Sequence, residues 1–355
     1  MSTLRVSAER LTILEHPNAD ALELAQVGLY RAVVAKGAYR TGEHAVYIPE
    51  QAVLPAALIA ELGLTGRLAG SGADRVKAVR LRGELSQGIV CRPGALAGTD
   101  LAVAAARGED FAALLGITKW QPPVPTTMSG EVVAAPDLLP WVDVENLKRF
   151  PDVFAPGEPV VVTEKLHGSC CLVTYHAATG EVQVSSKGMA ARGLALVEDA
   201  RNLYWRAVRA HGVARVAARL AARLGAERVG VFGEVYGAGV QDLTYGGSGR
   251  GEAPGYAAFD VSALVDGQLR WLPAAELLAG ELPLVPELWR GPFAVDTVLA
   301  LAQGRETVSG RDLHVREGVV VRPEAERHSP VLGGRAIAKA VGDAYLTRKG
   351  GTEYE

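Results

Sequence analysis

The order of apolar and polar positions changes character twice along the chain. Before about residue 95, short runs such as LAQVGLY, RAVVA and HAVYIP place β-branched and aromatic residues between Gly, Pro and Asn, and GIVCRP closes the series at Cys91. Strands of this length, separated by turn residues, predict a small β-barrel. From 96 to 158 an alanine-rich stretch that reads as helical leads into QPPVPTTMSGEVVAAPDLLP. Proline at that density excludes a regular helix and predicts a stiff linker. From 159 onward both periodicities occur. VVVTEKLHGSCC (Val160 to Cys171) reads as two apolar strands around a turn at His167-Gly168-Ser169. ALVEDARNLYWRAVRAHG carries Val197, Leu203, Tyr204 and Val208 at near-helical spacing, which predicts one amphipathic helix. A second Ala/Arg/Leu stretch follows and ends at Gly225, a suitable C-cap. RVGVFGEVYG, GYAAFDVSALV and EGVVVRP then read as strands. The chain is expected to be α+β: a barrel over 1–95, a bridge over 96–158, and antiparallel sheets with flanking helices over 159–355.

Composition narrows this reading. At 355 residues the chain is long enough for two domains. It has no apolar run of about 18 residues or more, and MSTLRVSAERL has no secretory h-region. The three cysteines are odd in number and form no CxxC, so neither a disulfide framework nor a zinc site is indicated, and a reducing cytoplasm fits. A net charge of −3 argues against a protein devoted to coating nucleic acid, although it leaves room for local patches. One such patch is Arg75, Lys77, Arg80 and Arg82 in RVKAVRLR, a candidate nucleic-acid contact; another is Arg335, Lys339, Arg348 and Lys349. Either run taken alone is more often a solvated face. The glycine-rich YGGSGRGEAPG lacks the GxxxxGK[ST] of a P-loop and reads as a flexible loop.

Charged residues at the ends of apolar strands carry the chemistry. Glu164 and Lys165 sit at the mouth of the first hairpin, where lysine is an unusual choice. Glu234 follows VGVFG, Asp260 follows a strand containing Tyr256 and Phe259, Glu317 opens EGVVVRP, and Lys339 lies in the small, apolar AIAKAVGDAY. A lysine of ordinary pKa is neutral in only about one part in 2,500 at pH 7, so it becomes a nucleophile only where its cation is disfavoured. Carboxylates supply hard oxygen ligands for Mg²⁺ or Mn²⁺.

In this order the residues resemble the covalent nucleotidyltransferase superfamily of ATP-dependent ligases and capping enzymes. Lys165-Leu166-His167-Gly168 matches its Lys-x-Asp/His-Gly motif, and GEVYG, GYAAFDV, EGVVVRP and AKAVGDAY resemble the motifs that follow. His167 and Glu164 point to RNA ligases within the superfamily. HPNADALELAQV, the turn at Gly42 before AVYIP, and VRLRGELSQGIVC resemble the OB-type domain of tRNA-binding proteins. An N-terminal OB barrel ahead of a nucleotidyltransferase (ATP-grasp-like ligase) domain is the arrangement of the Deinococcus-type RNA ligases.

The resemblance implies that Lys165 attacks the α-phosphorus of ATP, that Glu234 and Glu317 hold the metal, and that Lys339 neutralises the α-phosphate. It places Glu164 on the adenine amino group and Leu166, His167 and Gly168 around the nucleotide, with His167 supporting the loop rather than moving protons. SSKGMAARG brings Lys187 and Arg192 to sugar and phosphate. Tyr256 or Phe259 stacks on adenine; their spacing puts them on opposite strand faces, so one of the two is expected to do so. The implied partner is RNA, as a nicked duplex or an RNA/DNA hybrid, bound by a monomer. Two departures stand out. Many relatives carry Lys-x-Lys where this chain has Lys339 and Val341, and some RNA ligases have asparagine where it has Cys170. Ten residues after Tyr345 the sequence ends, without the C-terminal OB domain of DNA ligases and capping enzymes. Two alternatives stay open: a non-catalytic RNA- or tRNA-binding OB protein, and a capping-like nucleotidyltransferase.

Overall fold

The computed structural model describes residues 4–121, 130–249 and 251–351. Its contacts divide the chain into a first unit ending at Gln121 and a second formed by the chain beyond it. The first unit runs β1 (Ser7–Arg10), β2 (Thr12–Glu15), β3 (Leu22–Val27), β4 (Tyr30–Ala35), β5 (His44–Ile48), β6 (Ala52–Val53), α1 (Ala56–Glu61), β7 (Val79–Leu81), β8 (Glu84–Ser86), β9 (Ile89–Cys91), α2 (Leu101–Arg107) and β10 (Thr118–Lys119). Sheets β1-β5-β9 and β2-β3-β4 enclose Ala25, Val27, Ala32, Ala45 and Tyr47. The other face of β5 carries Val46 and Ile48 into a second cluster with Leu58, Phe111, Leu115 and Ile117. Burial on both faces explains why Ala45 to Ile48 are apolar throughout instead of alternating.

The expected bridge is not a spacer. Leu96, Ala104, Phe111, Leu115 and Ile117 complete the core of the first unit. Asp100 caps α2, accepting from the Ala102 and Val103 amides at 2.9 and 3.1 Å. Residues 130–158 belong to the second unit, where Leu139, Leu147, Val153 and Phe154 are buried. Proline forbids a helix but does not stop the apolar residues beside it from packing. The densest prolines of the expected linker, within 122–129, lie outside the described residues.

The second unit is built from two sheets. It contains β11 (Val132–Ala134), β12 (Glu145–Asn146), β13 (Pro159–Lys165), β14 (Gly168–His176), β15 (Val182–Ser186), α3 (Lys187–Ala190), β16 (Leu194–Leu196), α4 (Leu203–Ala210), α5 (Val213–Leu224), β17 (Arg228–Tyr236), β18 (Gly255–Val265) and β19 (Gln268–Leu272). It then continues through α6 (Ala274–Leu278), β20 (Glu287–Pro292), α7 (Val295–Leu301), β21 (Gly318–Pro323), β22 (His328–Ser329), β23 (Gly334–Arg335), β24 (Ala338–Val341) and α8 (Asp343–Leu346). One sheet has the order β11-β16-β15-β14-β17-β18-β19 and the other β12-β24-β21-β13-β20. The single helix expected across 195–212 divides. Leu194–Leu196 pairs in the sheet, and Asn202 starts α4 by accepting from the Tyr204 and Trp205 amides at 2.9 and 3.3 Å.

Each sheet buries one face in its own core and turns the other toward a shared cleft. In the larger sheet Val173, Val229, Val231 and Val261 pack with Val216 and Leu220 of α5. In the smaller, Val160, Val162, Val319, Val321, Ala338 and Ala340 pack with Phe154, Phe293 and Val298. Period-two alternation then sends Thr163, Lys165, Val320, Arg322 and Lys339 into the cleft.

Candidate active site

Lys165 is the last residue of β13, and its Nζ lies 2.6 Å from Glu317 Oε1 on the residue that precedes β21. Burial alone lowers its pKa, but the Glu317 and Glu234 carboxylates outweigh burial and raise it. The two carboxylates thus favour the ammonium form of Lys165. Glu234, on β17, is 8% exposed and pushed up to about 7, chiefly by burial. Cys170 donates its thiol to Glu234 Oε2 at 3.3 Å. Glu317 Oε2 is buried and has no hydrogen-bond partner among the described residues. Lys339, on β24, is the lysine whose cation is disfavoured: burial first, then Lys165 and Lys187, push it down to about 8. Lys187 heads α3 and pairs with Asp143 at 2.6 Å.

The turn after Lys165 is held from three directions. A Cβ on Gly168 would lie 2.2 Å from the Val235 carbonyl oxygen, so only glycine allows β14 to approach β17 this closely. The His167 amide donates to Tyr245 Oη at 2.7 Å, and the Gln241 amide group donates to the Gly168 carbonyl. On the ring, Nε2 lies 2.7 Å from Asp242 Oδ1 and Nδ1 lies 2.8 Å from the Tyr345 hydroxyl. With Asp242 acting as acceptor, Nε2 carries the proton and Nδ1 accepts. Burial pushes the imidazole below its ordinary range, which favours a neutral ring held between Asp242 and Tyr345. Arg348 pairs with Asp242 at 3.2 Å and stacks 3.7 Å from the Tyr345 ring. Tyr245, the first residue of the glycine-rich stretch, is thus a buried contact of the turn.

A bulge in β18 decides which aromatic faces the cleft. Phe232 pairs with Asp260 and Gly233 with Ala258, leaving Phe259 as the extra residue. Tyr256 and Ala258 face the helical core, and after the bulge Val261 and Ala263 do too. Phe259 and Asp260 consequently both line the cleft. Tyr256 is fully buried over Gly233, so its expected role against the base is corrected to core packing.

Other expectations change as well. The Glu164 carboxylate accepts from the Thr307 amide and hydroxyl at 2.9 and 2.6 Å, with Arg316 Nε at 3.7 Å. Burial raises its pKa. Through Oε2 this carboxylate ties the nucleophile strand to the 305–316 loop, while Oε1 is buried without a hydrogen-bond partner among the described residues and Glu164 lines the cleft, so Oε1 remains open to the expected adenine contact. Leu166 packs with Tyr245 and Ala257 at the cleft wall. Arg192 is exposed and lies outside the cleft lining, its Nε donating to the Gly188 carbonyl at 3.3 Å. In the first unit, Arg75 is buried and its guanidinium lies 3.9 Å from the Trp120 ring, so packing rather than phosphate occupies it. Lys77 is half-buried, while Arg80 and Arg82 are exposed on the β7–β8 hairpin.

Sequence reasoning missed Trp141, Trp271 and Arg322 in the cleft. Trp141 packs with Phe232 and Phe259 at ring separations of 5.4 and 6.2 Å. Asp260 receives Arg335 at 2.6 and 3.1 Å and Arg322 at 3.4 Å, and Arg335 lies 4.0 Å from the Trp271 ring. The aromatic residues, three lysines and two carboxylates together suit a flat base followed by phosphates.

Comparison with known proteins follows this geometry. A family model described as RNA ligase matches residues 158–341, and an OB-fold domain model matches residues 5–93. Among solved structures, the chain is similar to a Naegleria gruberi RNA ligase with PPi, at 24% identity and a TM-score of 0.74, covering 97% of this chain and 98% of that one. A lysine mutant of that ligase with ATP and Mn matches at 24% identity and a TM-score of 0.75, covering 96% and 98%. Another lysine mutant, with AMP and Mn, matches at 23% and 0.74, covering 96% and 97%. No curated protein matches. No helix among the described residues is long and apolar enough to cross a membrane.

Proposed function

The chain belongs to the RNA ligase family, and on that premise we propose that it seals a 3′-hydroxyl to a 5′-phosphate with ATP, through AMP carried on Lys165. The observation that carries this reading is the convergence of Lys165, Glu234 and Lys339 from separate strands onto one cleft, with Glu317 2.6 Å from Lys165 Nζ. Lys165 Nζ attacks the α-phosphorus, the bond to the bridging oxygen breaks, and pyrophosphate leaves. The amine must shed its proton to solvent before it attacks, and a divalent cation held by Glu234 and Glu317 would offset the two carboxylates that keep it charged. Lys339 faces the charge that develops on the α-phosphoryl oxygens. A 5′-phosphate oxygen then displaces Lys165 from AMP, and the 3′-hydroxyl displaces AMP. Crystals of the Naegleria ligase with ATP and Mn, AMP and Mn, and PPi support the choice of nucleotide and metal.

Glu234 and Glu317 fit a divalent cation. Both are buried, and Glu317 presents an unpartnered oxygen. Among the described residues no group of three or more His, Cys, Asp or Glu forms a cage, which suits a metal that keeps several waters. When bound, such an ion supplies positive charge to the transferring phosphoryl group. Nicked duplex RNA or an RNA/DNA hybrid as substrate, a monomeric state and residence in the cytoplasm complete the proposal. The non-catalytic alternative leaves the four converging groups without a role. Incubation with α-labelled ATP and Mn²⁺ should label the wild-type protein and leave Lys165→Ala unlabelled; label on the variant rejects Lys165 as nucleophile. Label from GTP in place of ATP would favour the capping-like reading.

A further inference from the structure

Helices α4 and α5 cover the face of the seven-stranded sheet opposite the cleft. From Leu203 to Leu224 this layer holds five arginines, one histidine and no acid, in a chain with 40 acids against 37 lysines and arginines. Its apolar residues, among them Tyr204, Trp205, Val208, Val216 and Leu220, are buried, which leaves the arginines to the solvent side. Arg215, Arg219 and Arg223 are exposed at i, i+4 and i+8, spaced about 6 Å apart along α5. Arg219 pairs with Glu281 and Arg209 with Glu198. Arg206 donates to the carbonyls of Gly251 and Glu252. Arg215 and Arg223 have no ion-pair partner among the described residues. Beside Arg215 lies a groove of about 580 Å³, lined by Arg209, His211, Arg215 and Glu198 over Trp205 and Val182.

A self-repelling row of this kind contributes little to the fold, and it complements a polyanion. We propose that the α4–α5 layer is a second RNA-docking face, which grips the phosphate backbone of a folded RNA beyond the break held in the cleft. The proposal rests on the RNA ligase reading for its choice of partner. A short straight duplex engaged at the cleft does not reach the opposite side of the sheet, so the face acts on long or folded RNA. Each phosphate neutralised adds about 0.9 to the slope of log K against log salt on a duplex.

The test compares wild type with Arg215→Gln/Arg223→Gln. Glutamine keeps helix propensity, and matching thermal melts establish that the variant is folded. Binding to bulk tRNA and to a short nicked RNA duplex is measured over a salt series. The expected result is a slope on tRNA lower by about 2, with tRNA affinity reduced at least tenfold at low salt. Binding to the short duplex and AMP labelling should be unchanged. Unchanged tRNA affinity and slope overturn the proposal, as does a variant that loses binding to an acidic polypeptide such as polyglutamate while tRNA binding holds. A wild-type protein that takes no AMP label refutes the proposed function instead, and the tRNA salt series still decides the docking face.

Discussion

At the scale of single residues, three lysines share one cleft and differ in what surrounds them. Lys165 and Lys187 each rest on an acid, while Lys339 is depressed to about 8 by burial and by the other two. Lys339 is charged below that value and neutral above it, so its hold on the nucleotide phosphates should weaken as pH rises through about 8. ATP affinity measured from pH 6.5 to 9.5 should show this fall, and Lys339→Arg, which stays charged, should flatten it. Gly168 is constrained by space. With a Cβ 2.2 Å from the Val235 carbonyl, Gly168→Ala must push β14 from β17. A loss of about 1–3 kcal/mol is expected, read as a lower urea midpoint, together with slower AMP labelling because the turn after Lys165 moves.

At the scale of elements, a strand's hydrophobic pattern can be read but its irregularities cannot. The positions of Lys165, Glu234, Glu317 and Lys339 at or near strand ends were legible because buried-looking runs abut charges there. The β18 bulge was not, since no residue in GYAAFDVSALV announces it, and it decides that Phe259 and Asp260 share a face. Phe259→Ala should therefore weaken ATP binding with little change in stability. Tyr256→Ala should cost about 3–5 kcal/mol and leave the affinity of the folded fraction near wild type; calorimetry and nucleotide titration separate the two. Trp141 went unnoticed because it follows a proline-rich stretch that suggests a spacer. The second tie of Glu164 was not legible either, since sequence does not reveal Thr307, which reaches its Oε2 from a distant loop. Thr307→Val removes one donor from a buried carboxylate and should destabilise the protein by about 1–3 kcal/mol, detectable by thermal melting.

At the scale of the whole molecule, the two units have separate cores, and every cleft-lining residue lies between Trp141 and Lys339. A fragment beginning at residue 122 should thus still take AMP from ATP, while sealing nicked RNA less well than the full chain. A fragment that folds, as judged by circular dichroism, yet takes no label would contradict this assignment of the cleft. One pairing in the smaller sheet carries a further consequence. β12 lies parallel to β24, with Glu145 opposite Ala338 and Asn146 opposite Lys339, across nearly the whole second unit. The wall of the cleft is therefore complete only when β24 is present. A polypeptide cut off before Ala338 lacks both Lys339 and the partner of β12, so it is expected to take no AMP label.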